Sequence, residues 1–314
     1  MEEARIDAGS AVMPPLFRIH DAEVVRAGKT ILRVDDFSLA EGEHVALLGP
    51  NGAGKSTFIQ LLTREVFPLY RDEPPVRFRG QERPLLDDIK RALGIVSSTM
   101  HEQVRVHLPA EEIVCGGIFG TLGLPMHREV SEADHACAFE ALDRLHIASL
   151  AERDIMTLST GQVRRVLVAR ELVRNPSVLV FDEPCTGLDP QGMYHLRETM
   201  RTLADEGRSI ILVTHYPEDI IPAIDRVLLI KDASIFADGP KRELLRDDVM
   251  SDLFDVPLKM CIRDRPSGAS RGCRSRVCWP MRLGSIPFES ANAVVATRWR
   301  LPASSGTTAP TRWP

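Results

Sequence analysis

Apolar positions open the chain in a strand rhythm. Residues 16–20, 30–39 and 44–48 are rich in Leu, Ile, Val and Phe, and turn residues part them, first Gly28 and then Glu41-Gly42-Glu43. Branched and aromatic side chains suit a pleated, half-buried surface, so the pattern predicts a small antiparallel sheet leading into the strand at 44–48. Further strands are expected at 76–78 and 93–97, joined by polar and proline-rich turns. Between residues 109 and 158 the period turns helical. Pro109-Ala110-Glu111-Glu112 has the make-up of a helix start, and Ser131 and Asp134 stand at capping-box spacing before a helix extending to residue 146. A regular alternation follows: helix 161–174, strand 177–181, helix 193–206, and strands at 209–214 and 226–230. Strands alternating with helices predict a parallel sheet covered on both faces. The expected fold class is therefore α/β, with an antiparallel β subdomain and an inserted α-helical subdomain over residues 100–165 of a domain spanning 16–250. Residues 1–15 form an extension, and 251–259 close the domain.

Composition narrows the class. With 314 residues, 44% of them hydrophobic, the chain can bury one large core or two small ones. No apolar run reaches the roughly 18–20 residues of a membrane-spanning helix, and Met1-Glu2-Glu3-Ala4-Arg5 is acidic rather than a basic leader. A cytoplasmic protein is expected, touching the inner face of the membrane only through a partner. The six cysteines are not paired closely enough for a disulfide framework; Cys115, Cys137 and Cys185 read as small core residues, and Cys261, Cys273 and Cys278 lack zinc-finger spacing. Charge is uneven. Residues 260–314 hold nine arginines, no lysine and two acidic residues, whereas residues 1–259 hold 30 basic against 42 acidic groups. An acidic body does not suit a phosphate backbone, so no nucleic-acid partner is expected.

The composition of one loop changes the picture. Gly49, Pro50, Asn51, Gly52, Ala53, Gly54, Lys55, Ser56 and Thr57 lie between the strand at 44–48 and a helical pattern from Ser56. A triphosphate needs several backbone N–H groups aimed at one anion, and glycines let the chain curl that closely. The helix N-terminus adds partial positive charge, Lys55 can reach the β and γ oxygens, and Ser56 can ligate Mg²⁺. This makes the expected core a P-loop NTPase. The bland alternative, a glycine-rich turn followed by an ordinary lysine, lacks a reason for the flanking strand and helix.

Two other segments carry chemistry. Residues 177–181 run apolar into Asp182 and Glu183, at a strand end where open α/β sheets bind ligands. Asp182 is the candidate Mg²⁺ partner and Glu183 the candidate base for the attacking water; alone, the pair could be a solvated strand terminus. Ser159, Thr160, Gly161 and Gln162 precede a helix and offer a second anion-binding helix start, although alone they would be an N-cap with a glycine.

In this order, with Asp189 and His215 following, these segments resemble the ATP-binding cassette (ABC) ATPases, the nucleotide-binding subunits of ABC transporters. The resemblance spans residues 16–250, and the segments 159–165, 182–185 and 96–98 are similar to a molybdate-type branch. It implies a head-to-tail homodimer holding two ATP molecules, in which the signature of one protomer, Ser159 to Gln162, caps the γ-phosphate held by the other's P-loop. Lys55, Ser56 and Thr57 would then bind phosphate and Mg²⁺, Glu183 would be the base and Asp182 the metal partner. His215 would contact the γ-phosphate, and Asp189 would link the two sites. Two positions depart from the family pattern. Ser98 replaces the glutamine that senses Mg²⁺, so any metal contact runs through water. Arg26 stands where an aromatic residue usually stacks on adenine, and a guanidinium can stack likewise.

An ATPase subunit powering a separate membrane permease is the leading expectation. A soluble, non-transport ABC-type ATPase acting as a regulator or assembly factor is the alternative, kept open by Ser98. Beyond Lys259 the composition breaks abruptly, with all three tryptophans, Trp279, Trp299 and Trp313, in that tail. Met260-Cys261-Ile262-Arg263-Asp264-Arg265 matches a translated sequencing-library adapter. Residues 260–314 are expected to be an assembly artefact or, alternatively, a disordered basic tail.

Overall fold

The computed structural model describes residues 13–125 and 129–259; the expectations for residues 1–12 and for the tail with Cys261, Cys273 and Cys278 lie outside them. The predicted antiparallel part is a long hairpin of β1 (Phe17–Arg26) and β2 (Lys29–Leu39), turned at Ala27-Gly28 where both residues have positive φ. Phe17, Ile19, Ala22 and Val24 on β1 and Leu32, Val34, Phe37 and Leu39 on β2 point inward. The short β4 (Val76–Phe78) pairs with the outer edge of β1.

The parallel part is read from strands with apolar interiors, β3 (His44–Leu48), β5 (Leu93–Ser97), β6 (Val178–Asp182), β7 (Ser209–Thr214) and β8 (Arg226–Lys231). Strands buried on both faces lose the polar alternation of a solvated sheet. On β3, Ala46 and Leu48 face one core and Val45 and Leu47 the other. The first core is shared with the helices of the inserted region, and the second lies under the β1–β2 hairpin.

Both parts belong to one sheet, which the strand pattern did not reveal. Among the described residues the order is β4-β1-β2-β9-β8-β3-β7-β6-β5, where β9 is Ser234–Pro240. The seam is β9, antiparallel to β8 and bridged to β2 at Arg33 and Ser234. No element was expected there.

The helices follow the sheet closely. Helix α1 (Lys55–Leu62) leaves β3 through the glycine loop. Two short helices stand where the sequence pattern predicts turns: α2 (Leu86–Ala92), anchored by Ile89 and Ala92, and α3 (Ser98–Gln103), capped by Ser97. The inserted region contains α4 (Ala110–Phe119) and α5 (Glu132–Arg144), the latter closed by a reciprocal Ser131–Asp134 capping box as its spacing predicts. Both pack on α6 (Thr160–Leu172), a helix buried along most of its length. Then come α7 (Pro190–Asp205), α8 (Lys241–Leu244) and α9 (Asp247–Phe254), the last two also unforeseen. Cys115 and Cys185 are buried as expected, but Cys137 is exposed, because it falls on the outer face of α5. No helix among the described residues is long and apolar enough to cross a membrane.

Candidate functional site

The P-loop is shaped by backbone packing. A Cβ at Gly49 would fall 2.1 Å from the Ile230 carbonyl oxygen, so only glycine lets the loop pass so close to β8. Gly52 and Gly54 have φ of +78° and +113°, in the left-handed region, and nothing lies within 4 Å of where a Gly52 Cβ would stand. No side chain caps α1, whose N-cap is Gly54, so its first N–H groups remain for a ligand. Lys55 is 6% exposed and its Nζ donates to the carbonyls of Gly49 and Pro50 at 2.7 and 2.9 Å. Burial lowers its pKa, opposed by the nearby Glu183 and Asp182 carboxylates. A buried ammonium beside uncapped helix N–H groups is a receptor for a polyanion.

Asp182 ends β6, directly across from Ser97 of β5. Burial and then the neighbouring Glu183 carboxylate raise its pKa, while Lys55 opposes the rise. The Ser56 hydroxyl and Glu183 line one cleft and Asp182 adjoins Glu183, so the oxygen donors on offer there are a hydroxyl and carboxylates. That chemistry fits Mg²⁺. Glu183 sits at φ +49° and its N–H donates to the Val213 carbonyl at 2.8 Å. A residue other than glycine held there stores roughly 1–3 kcal/mol, which the two flanking strands must overcome.

His215, just past β7, places Nδ1 3.1 Å from Glu183 Oε1. The turn that carries it is clamped: Asp219 accepts from Thr214 Oγ1 at 3.0 Å and from Arg197 Nη2 at 2.8 Å, and Thr214 Oγ1 accepts from the Tyr216 N–H at 3.0 Å. Asn51, Gly52, Gly54, Lys55, Ser56, Thr57 and Glu183 thus line one cleft of about 600 Å³, and Arg26 lies in its wall at the end of β1. Ala53 is buried beneath.

The signature residues are elsewhere. Ser159, Gly161 and Gln162 line a second, smaller cleft with Asp189, and no lining residue is shared with the first. Ser159 caps α6, accepting from the Gln162 N–H at 3.3 Å, while the Gln162 side chain accepts from the Ser159 N–H at 3.0 Å. Thr160 is the first residue of the helix. Asp189 caps α7, accepting from the Gly192 N–H at 2.7 Å. A Cβ on Gly161 would stand 3.1 Å from the Gly192 Cα, so the two helix starts lie side by side. Ser98 begins α3 and is not among the residues lining either cleft.

Sequence reasoning missed five contributors to the first cleft: Lys29, Thr30, Ile31, Asp232 and Ala233. The last two form the β8–β9 turn at φ +48° and +61°, and the Ala233 N–H donates to the Ala53 carbonyl at 3.0 Å, fastening the P-loop. The signal was Lys231-Asp232-Ala233-Ser234, a turn without the usual glycine.

Residues 32–186 match a protein-family model described as ABC transporter. The "Uncharacterized ABC transporter ATP-binding protein YlmA" of Bacillus subtilis (strain 168) is 31% identical over 254 residues, covering 80% of this chain and 96% of that one. "ABC transporter ATP-binding protein ModF" of Escherichia coli (strain K12) is 31% identical over 227 residues, 71% of this chain and 46% of ModF. Among solved structures, CbiO1 from Clostridium perfringens, part of the ABC transporter complex CbiONQ, superposes with a TM-score of 0.64 at 24% identity, covering 76% of this chain and 94% of that chain.

Proposed function

The chain belongs to the ABC transporter ATP-binding family and is an ATPase, and from that premise we propose that it hydrolyses ATP between two copies of itself to drive a separate membrane permease. The observation that carries the dimer is the separation of the clefts. Within one chain the P-loop and the signature line different cavities. A head-to-tail partner would bring the signature of one copy over the P-loop of the other.

The roles follow from the chemistry of each group. Lys55 exchanges two carbonyl partners for phosphate oxygens, and the free N–H groups of α1 take the rest. Asn51, Gly52, Gly54 and Thr57 line the path of the triphosphate, and Arg26 offers a flat cation to the base. Ser56 and Asp182 would hold Mg²⁺, which neutralises charge on the phosphates when bound; Ser98 would reach it only through water. Glu183 accepts the proton of the attacking water. His215 orients Glu183 through Nδ1, leaving its other ring nitrogen for the γ-phosphate. Ser159 already accepts from its own helix, so its hydroxyl proton is free to donate to a phosphate oxygen of the partner's ATP. Asp189 lies beside the signature and couples the two sites.

A Glu183→Gln chain should form an ATP-dependent dimer in light scattering that disperses with ADP. A strictly monomeric Glu183→Gln chain that still binds ATP would sink the composite site. For the partner, copurification with a multi-span membrane protein at the cytoplasmic face is expected. Recovery with soluble proteins only, and turnover indifferent to membranes, would favour the non-transport reading.

A further inference from the structure

Away from both clefts, three ligand-type side chains from two helices converge. Glu111 and Cys115 stand one turn apart on α4, and His135 lies in the first turn of α5. His135 Nδ1 is 2.8 Å from Glu111 Oε1 and 3.9 Å from Cys115 Sγ, and the three donor atoms all lie within 4.8 Å of one another. Cys115 is fully buried, whereas the side chains of His135 and Glu111 are 44% and 24% exposed, so the cluster opens to solvent on the histidine side. A surface His–Glu ion pair needs no thiol. Here the thiol comes up from the core beneath that pair.

We propose that Glu111, Cys115 and His135 bind a zinc-class divalent cation through carboxylate, thiolate and imidazole Nδ1, with water in the fourth position. Tetrahedral zinc with bonds of about 2.0–2.3 Å sets its ligand atoms roughly 3.3–3.6 Å apart. The observed spacings, 2.8 and 3.9 Å with none above 4.8 Å, lie on either side of that range. The donor set selects the metal. A nitrogen and a sulfur ligand suit Zn²⁺ or Co²⁺ and not the all-oxygen preference of Mg²⁺, which separates this site from the nucleotide cleft.

Charge favours the same cation. On binding, the thiol proton leaves to solvent, and one thiolate and one carboxylate then balance the dication, giving a neutral complex that a half-buried site can hold. Without metal, burial and the Glu111, Asp134 and Glu112 carboxylates push the Cys115 thiol up to about 11. The bound ion would tie α4 to α5, both packed on the helix that carries the signature.

The test is a Co²⁺ titration of the full, chelator-treated chain without nucleotide or Mg²⁺. A thiolate-to-cobalt charge-transfer band saturating at one ion per chain, and reversed by Zn²⁺, is expected. Cys115→Ser should abolish the band. His135→Gln, at a half-exposed position that threatens folding little, should weaken affinity about tenfold or more and remove the rise in Tm that Zn²⁺ gives the unaltered chain. The proposal is overturned by no band in the unaltered chain, by a band that survives Cys115→Ser, or by an equal Zn²⁺-induced Tm shift with and without His135.

Discussion

The starts of α1 and α6 both belong to the proposed nucleotide site, yet they are built in opposite ways. At α1 the cap is a left-handed glycine with no side-chain bond, a lysine is buried against loop carbonyls, and two carboxylates stand close by. At α6 the cap is complete: Ser159 and Gln162 satisfy each other's backbone N–H groups, and the neighbouring α7 is closed by Asp189. The first start is locally unsatisfied and electrostatically tense, which suits the polyanion and cation proposed for it. The second is already stable and spares one hydroxyl proton. One chain therefore carries a demanding half and a self-sufficient half, and only the demanding half should respond strongly to nucleotide.

That contrast can be broken at several points. The largest effect is expected at Glu183→Gln, where loss of the base should lower ATP turnover by about 10²–10⁴-fold while ATP affinity holds, read by phosphate release beside a binding titration. Lys55→Ala should come next, weakening ATP binding by roughly 2–5 kcal/mol, since the loop's main cation is gone; undiminished affinity would mean that the uncapped helix alone holds the phosphates. Ser159→Ala should leave ATP binding to the single chain unchanged, prevent the nucleotide-driven dimer, and cost about 0.5–2 kcal/mol of stability through its lost cap. A fall in single-chain ATP affinity there would mean that the two halves are not separate.

The smallest effect is one of sign. The Asp182 carboxyl has a raised pKa in the folded chain, so the folded state holds that proton more tightly than the unfolded one. Its contribution is fully present below the ordinary carboxylate pKa and fades as pH rises through the raised value. Asp182→Asn should therefore raise the Tm of the nucleotide-free chain at neutral pH but not in acid, while impairing turnover. A Tm that falls at neutral pH would place Asp182 among the stabilising groups instead.

Much of the site was legible. The loop at residues 49–57, the Asp182-Glu183 pair, the capping box at Ser131 and the N-cap at Ser159 are runs in which a few neighbouring residues settle the backbone, so composition and spacing suffice. The unlegible parts depend on distant partners. Strand β9 contains Ala237, Gly239 and Pro240, poor strand residues by themselves, and exists because β8 supplies its hydrogen bonds. Helix α2 is seven residues long with two buried anchors, too short for periodicity to register. Ser98, read as a loop residue at the end of β5, starts a helix because Ser97 caps it.

By itself the sequence determined the chemistry: a phosphate loop, a carboxylate pair, a capped signature helix and a histidine after an apolar strand. Each rests on backbone geometry within a turn or two, where glycine freedom, helix N–H groups and apolar periodicity act directly. The tertiary structure alone decided which of these meet. Burial of the apolar strands on both faces fixed the parallel register that brings His215 to Glu183, across 32 residues of chain, and passes Gly49 under Ile230. The same packing set the signature in another cleft and folded Cys115 beneath Glu111 and His135. Such convergence is a property of the core, which no short stretch of sequence contains.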